Sequence, residues 1–358
     1  MNQQRLESNL HQVMDAFRLP GMVVASVGRG EISYTQGFGY ANLEEKQPFT
    51  HETVCLMASV TKSFTAALTG CLVDQGVVEW TRPVCEYIPG FRMMDEFATR
   101  EITLEDMLCH RSGLPYHENL LAHGVNRELH DSGRAFRNDL LFNRLPHFDP
   151  SSSFRSQFQY QDIVYTIVGA ILEHVTGEEY ETLIDKYLLI PLGMDSSTFV
   201  RAIAKEGRML AQGYALVDDQ IQPVDFCDTR YIASSAGLYS NAKDMIRWLQ
   251  LQLSGGIRDN RQIIAHESLA WTHRPHMLES SAGSLTNGVT TYGQGWRQIQ
   301  LHGHTVICHG GSFNGHRSFM GFIPGKETGV LALTNLNLTE GSTVAGMIGL
   351  DHLLGIDN

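Results

Sequence analysis

The sequence has no run of about 18 consecutive apolar residues, which excludes a membrane-spanning helix of ordinary length. It also has no C-x-x-C pair. Its six cysteines, Cys55, Cys71, Cys85, Cys109, Cys227 and Cys308, are scattered and mostly sit in apolar runs, so reduced, buried thiols are expected. No Lys/Arg cluster offsets the formal net charge of -12, which argues against a nucleic-acid partner, because phosphate binding needs a basic surface. No H-E-x-x-H spacing accompanies the 16 histidines, so neither a metal nor an organic cofactor is expected, although His302, His304, His309 and His316 fall close together. The opening stretch MNQQRLESNLHQVMDAF has no apolar core of the secretory type, and a cytoplasmic chain is expected. Internal repeats and low-complexity linkers are absent as well. What is present is the composition of a soluble globular protein, 42% hydrophobic and 18% charged, with 358 residues for about two lobes around a large core.

Polar and apolar residues alternate at helical spacing in the opening stretch, which predicts a first helix. Gly21 to Val27 and Ile32 to Tyr40 are β-rich runs separated by Gly28-Arg29-Gly30, the pattern of a hairpin. Phe64, Ala67, Leu68, Cys71 and Leu72 then follow the i, i+3, i+4, i+7, i+8 spacing of a helix with one face in a core, ending near Gly76. Further helices are predicted over Asp162 to His174, Tyr180 to Leu189 and Ala242 to Leu253, the last capped by Ser240 or Asn241. Val306 to His309, Arg317 to Ile323 and Gly329 to Asn335 read as strands, and Thr343 to Leu354 as a closing helix. The layout is α+β. An antiparallel sheet flanked by helices is built from both termini, residues 1–75 and 285–358, and an inserted, mostly helical lobe spans 76–284. The cleft between the two is the expected place for a small-molecule site.

Three segments carry chemistry. Ser59-Val60-Thr61-Lys62 opens the buried helix, with Ser59 at or near its N-cap and Lys62 one turn on, on the same face. A serine hydroxyl needs a base beside it to be a good nucleophile, and a desolvated lysine can serve. The same spacing also fits a capping serine with a surface lysine. Tyr160-Gln161-Asp162 stands at the entrance of the second long helix, where a phenol can move protons or simply pack. His309-Gly310-Gly311-Ser312 lies between strand-like runs. Paired glycines there let the backbone approach a ligand and offer an N–H to an oxyanion.

In this order the three segments resemble the S-x-x-K, Y-x-N and K-T-G or H-x-G motifs of the serine β-lactamase and penicillin-binding protein superfamily. The resemblance is strongest to the class C β-lactamase-like branch, which includes esterases, D-aminopeptidases, D-amino-acid amidases and acyltransferases. Connecting phrases match too, among them Ile102-Thr103-Leu104, His110-Arg111-Ser112-Gly113-Leu114-Pro115, Pro191-Leu192-Gly193-Met194 and Tyr292-Gly293-Gln294-Gly295-Trp296. The resemblance implies a β-lactamase/transpeptidase-like fold with Ser59 as acylated nucleophile and Lys62 as its proton acceptor. Tyr160 would be general base or proton relay to the leaving group. The N–H groups of Ser59 and Ser312 would form the oxyanion hole, with Gly310 and Gly311 beside it and His309 where many relatives have lysine.

Two departures shape the functional expectation. Asp162 replaces an asparagine, exchanging an amide donor for a charged acceptor that either pairs with Lys62 or faces elsewhere. His309 carries no fixed positive charge at pH 7, which weakens a β-lactamase reading because nothing then holds a substrate carboxylate. The expected activity is therefore that of a serine hydrolase acting on a small ester or amide. Transfer of the acyl group to a small-molecule acceptor is the alternative, and a β-lactamase or an idle binding protein follows behind. Substrate choice is assigned to Tyr116 to Pro150 and to the loop from His276 to Thr291.

Overall fold

The structure, a computed structural model, describes residues 3–116, 132–200, 209–280 and 288–356. Among these residues, one antiparallel sheet has nine strands: β1 (Gly21–Gly28), β2 (Glu31–Asn42), β3 (Gln47–Pro48), β4 (Met277–Ser280), β5 (Thr290–Tyr292), β6 (Arg297–Leu301), β7 (His304–Phe313), β8 (His316–Ile323) and β9 (Thr328–Thr334). Their order is β4-β5-β6-β7-β8-β9-β1-β2-β3. The two ends of the chain meet where β1 pairs with β9, Met22 opposite Thr334 and Gly28 opposite Thr328. The sheet begins at Met277, ahead of the expected boundary at residue 285, because β4 and β5 extend it beyond the strands that hydrophobic runs betray.

Strand β1 is apolar nearly throughout because both of its faces are covered. Met22 and Val24 face a cluster with Leu6, Leu10 and Val13 of helix α1 (Gln3–Ala16) and Ala345 and Leu350 of the C-terminal helix Gly341–Leu354. Val23, Ala25 and Val27 point the other way, into the larger core shared with helix α2 (Thr61–Asp74) and the helix Ala242–Leu253. The period-2 alternation of a strand thus separates two cores. Helix α2 is the centre of the larger one, buried along almost its whole length. Its Phe64 stacks on Trp248 at 3.9 Å between ring centroids, and the Trp248 indole N–H donates to Ser63 Oγ at 3.2 Å.

Local signals explain the remaining helices. Thr103 and Asp106 form a reciprocal capping box for Leu104–Leu108, and Asn241 caps Ala242–Leu253 by accepting from the Asp244 N–H. Helix α3 (Asp162–Thr176) stops at Gly177, whose φ of +77° is left-handed. The expected helix from Tyr180 to Leu189 begins as one over Tyr180–Ile184 and widens into a π turn over Asp185–Leu189. All six cysteines are free, four of them buried. No helix among the described residues is long and apolar enough to cross a membrane. Of the two segments expected to set substrate choice, 117–131 and 281–287 lie outside the described residues.

Candidate active site

The turn that carries Ser59 is pinned from both sides. Cys55–Leu56 pairs with Tyr239–Ser240, the Met57 N–H donates to Leu238 O at 2.8 Å, and Met57 O accepts from Ser318 Oγ of β8 at 2.7 Å. Between these anchors Ala58 has φ +47°, a left-handed conformation that costs a residue with a Cβ about 1 kcal/mol or more. One 3₁₀ turn, Ala58–Val60, then feeds α2. Ser59 lies near the start of the helix as expected, one residue before the N-cap Val60; the helix has no side-chain cap there, and the serine hydroxyl is held by Lys62 Nζ at 3.1 Å.

Lys62 is completely buried, and its ammonium has three partners. It donates to Ser59 Oγ, to Ser235 O at 3.0 Å and, in a very short contact, to Asp162 Oδ1. The open choice for Asp162 is thereby closed in favour of pairing with Lys62. Burial pushes the lysine pKa down, but the Asp162 carboxylate and the Tyr160 phenol beside it more than offset this, and the net direction is up. Lys62 is therefore an ammonium at neutral pH. Its Nζ lies 4.8 Å from the centroid of the Tyr160 ring. Burial raises the Tyr160 pKa, and the opposing pull of Lys62 and Arg297 does not reverse it, so this group rests as a neutral phenol.

His309, Gly310, Gly311 and Ser312 lie within β7, not in a loop between strands. The register explains their use. Strand β6 begins with Arg297 opposite Cys308, so His309 to Phe313 pair with β8 on one side and have no β6 partner on the other. Gly311 is what lets this stretch reach the serine. A Cβ on it would lie 2.3 Å from Met57 O and 3.0 Å from Ser59 N. The His309 ring is held by two partners: Nδ1–H donates to Gly310 O at 2.6 Å, and Nε2 accepts from Tyr292 OH at 2.9 Å. Burial, with Arg297 and Lys62 nearby, holds its pKa well below the ordinary histidine value.

A cavity of about 530 Å³ opens onto these groups, lined by Ser59, Tyr160, Asp162, Gly310, Gly311 and Ser312, with Lys62 and His309 buried behind its wall. Two ion pairs that the motifs did not signal complete the lining. Arg297 Nε donates to both oxygens of Glu279 at 2.8 and 2.9 Å, and Arg317 Nη2 bonds Glu340 Oε1 at 2.5 Å. The Arg297 guanidinium lies 5.4 Å from the Tyr160 ring centroid and 3.4 Å from His309 Nε2. The cavity thus does hold fixed cations, Arg297 from β6 and Arg317 from β8, and none at position 309. The only sequence signal for Arg297 was the family phrase ending at Trp296, one residue short of it.

The model of the Beta-lactamase family matches residues 6–349. The chain belongs to the Beta-lactamase family. Among family relatives, Unguisins hydrolase ungD of Aspergillus violaceofuscus is 28% identical over 98% of this chain and 64% of its own length. Protein flp of Staphylococcus aureus is 25% identical over 94% of this chain and 64% of its own length. The chain therefore spans less than two thirds of the length of these curated relatives. The octameric penicillin-binding protein homologue from Pyrococcus abyssi superposes with a TM-score of 0.86 at 26% identity, over 100% of this chain and 78% of that one. A class C beta lactamase from Rhodobacter sphaeroides shares the fold, with a TM-score of 0.77 at 20% identity over 98% of this chain and 99% of that one.

Proposed function

We propose that this member of the Beta-lactamase family is a serine hydrolase that forms an acyl-enzyme on Ser59 and releases the acyl group to water, acting on a small ester or amide. One observation carries the reading: the Ser59 hydroxyl is hydrogen-bonded to a fully buried ammonium whose other side-chain partner is a carboxylate. A hydroxyl and a charged lysine alone cannot begin the reaction, because the lysine has no lone pair to offer. The carboxylate supplies the missing acceptor. As Ser59 Oγ bonds to the acyl carbon, its proton passes to Lys62 while Lys62 passes one of its own to Asp162. The leaving group takes a proton from the Tyr160 phenol, which regains it through Lys62. Water then repeats the steps in reverse on the acyl-enzyme. The N–H groups of Ser59 and Ser312 would receive the developing oxyanion on the open edge of β7.

Arg297 narrows the substrate class. A guanidinium lining the same cavity as Ser59, with only its Nε turned to Glu279, favours an ester or amide that carries an anionic group. The test combines a fluorophosphonate probe with intact mass. A single adduct on the wild type and none on Ser59→Ala is expected, and an equal adduct on both would sink the covalent mechanism. Paired aryl esters with and without a carboxylate then test Arg297. The Arg297→Gln variant is expected to raise KM for the carboxylate-bearing ester by about tenfold to a hundredfold and to leave the neutral one nearly unchanged. Equal losses on both esters would remove Arg297 from recognition.

A further inference from the structure

Tyr160, just ahead of helix α3, and Asp162, its first residue, both reach Lys62, and the structure holds the segment that leads into this helix in an unusual way. His110 follows the short helix Leu104–Leu108 and has φ +62°, a left-handed backbone. This conformation presents its main chain and its side chain to the same neighbour. The His110 carbonyl accepts from the Gln159 N–H at 2.9 Å, and His110 Nδ1 accepts from the Gln161 N–H at 3.0 Å. The residues immediately before and after Tyr160 are therefore both tied to His110. The Tyr160 ring lies 4.5 Å from the imidazole, centroid to centroid, at a tilt of 39°. Phe158, Tyr165 and Tyr292 enclose the same imidazole at 4.8 to 5.5 Å.

The ring has little freedom to do anything else. His110 is fully buried, and because Nδ1 accepts, the proton of the neutral ring sits on Nε2, which has no partner among the described residues. A buried N–H without a partner carries a cost, and here it accompanies the lone pair that faces Gln161. Gln161 is itself fully buried, with its side-chain amide donating to Leu114 O and Pro115 O in very short contacts. The turn from 110 to 115 thus grips the backbone on both sides of Tyr160 and the side chain of Gln161.

We propose that His110 is a positioning residue, whose Nδ1 and carbonyl clamp the backbone either side of Tyr160 and so aim the phenol, and the adjacent Asp162, at Lys62. The inference rests on the reading that Tyr160 and Asp162 serve acylation of Ser59. Asparagine provides the discriminating variant. Its Oδ1 lies as many bonds from the backbone as His Nδ1 and accepts only, and asparagine tolerates a left-handed backbone. Glycine tolerates that backbone too but has no acceptor, and glutamine carries its acceptor one bond too far.

The experiment measures fluorophosphonate acylation of Ser59 and aryl-ester kcat and KM for wild type, His110→Asn, His110→Gly and His110→Gln, with urea melts to establish folding. His110→Asn is expected within about threefold of wild type. His110→Gly is expected to lose about tenfold to a hundredfold in acylation and kcat with KM nearly unchanged, since misplacement of a reacting group acts on the rate. If His110→Gly does not fold, His110→Gln carries the same expectation. An asparagine variant as slow as the glycine or glutamine variant, or a loss confined to KM, would overturn the clamp. Absence of a wild-type adduct on Ser59 would instead overturn the acyl-enzyme reading, and the clamp with it.

Discussion

Replacing Asp162 with asparagine tests the proton inventory of the site, and the direction of the outcome decides between mechanisms. The Lys62 side chain is 0% exposed and that of Asp162 19%, so their attraction is only partly screened. At an effective dielectric of about 20, opposite unit charges about 4 Å apart attract by about 4 kcal/mol, and that attraction is withdrawn in the amide variant. What remains is burial, the largest influence and one that lowers the Lys62 pKa, opposed now by Tyr160 without Asp162. In the relay, wild-type Lys62 works while charged, so acylation is flat through neutral pH. The asparagine variant lacks the final acceptor and is active only where Lys62 itself is neutral. A new rising limb therefore appears, with a lower rate on its acid side by about 10² or more. If Lys62 instead acted as a neutral amine in the wild type, its raised pKa would confine activity to alkaline pH. Removing Asp162 would then move the limb down and increase the neutral rate. The assay is the second-order rate of fluorophosphonate labelling of Ser59 between about pH 5 and about pH 11, a window that brackets the ordinary histidine and lysine values. A limb moving down, or a profile identical in both proteins, would refute the relay.

The other predictions concern the framework. Gly311→Ala places a methyl group 2.3 Å from Met57 O, so β7 must shift off the Ser59 turn. The labelling rate is expected to fall by about 10² or more with a stability loss of about 1–3 kcal/mol in urea melts, and an unchanged rate would remove Gly311 from the site. Arg137, wholly buried, bonds Glu173 Oε1 at 2.5 Å and Glu181 Oε2 at 2.8 Å, tying the helix Gly133–Asp139 to α3. Arg137→Met leaves the buried Glu173 without its counter-charge and is expected to cost about 3–5 kcal/mol of unfolding free energy, with labelling of the surviving native protein unaltered. A loss under about 1 kcal/mol would mean that Glu173 finds another partner or takes up a proton.

What the sequence made legible was local or strongly periodic. The hairpin around Gly28-Arg29-Gly30, the short β-rich run of β9, the Asn241 cap and the stop at Gly177 are each dictated within a few residues, and each is where the sequence pattern predicts it. The placement of His309 to Ser312 inside β7 was not legible, since two glycines look like a loop until the strand they belong to has a reason to pass close to Met57. Strands β4, β5 and β6 were missed for a related reason. Arg297-Gln298-Ile299-Gln300-Leu301 has too few apolar residues to stand out, and its role comes from pairing with β7. Ser59, by contrast, sits beside the N-cap, as its spacing predicts, with its hydroxyl held by Lys62.

These misses share a consequence for charge. Read along the chain, His309 in place of lysine removes a cation, and Asp162 in place of asparagine adds an anion, which together describe a site unsuited to anionic substrates. Read across the sheet, the cation is present, one strand over, because Arg297 pairs with Cys308 and so lies beside His309. The added anion lines the cavity but is paired with Lys62. Lys62, Arg297 and Arg317 each face a carboxylate, from Asp162, Glu279 and Glu340. An uncharged pocket balance reached by three separate pairs differs physically from a site without charges. Arg297 and Arg317 line the cavity with their charges already neutralised by Glu279 and Glu340, whereas Lys62 is buried behind its wall. With histidine at position 309, a cation of the cavity stands on β6, the strand beside β7, and only the register of the sheet reveals that placement.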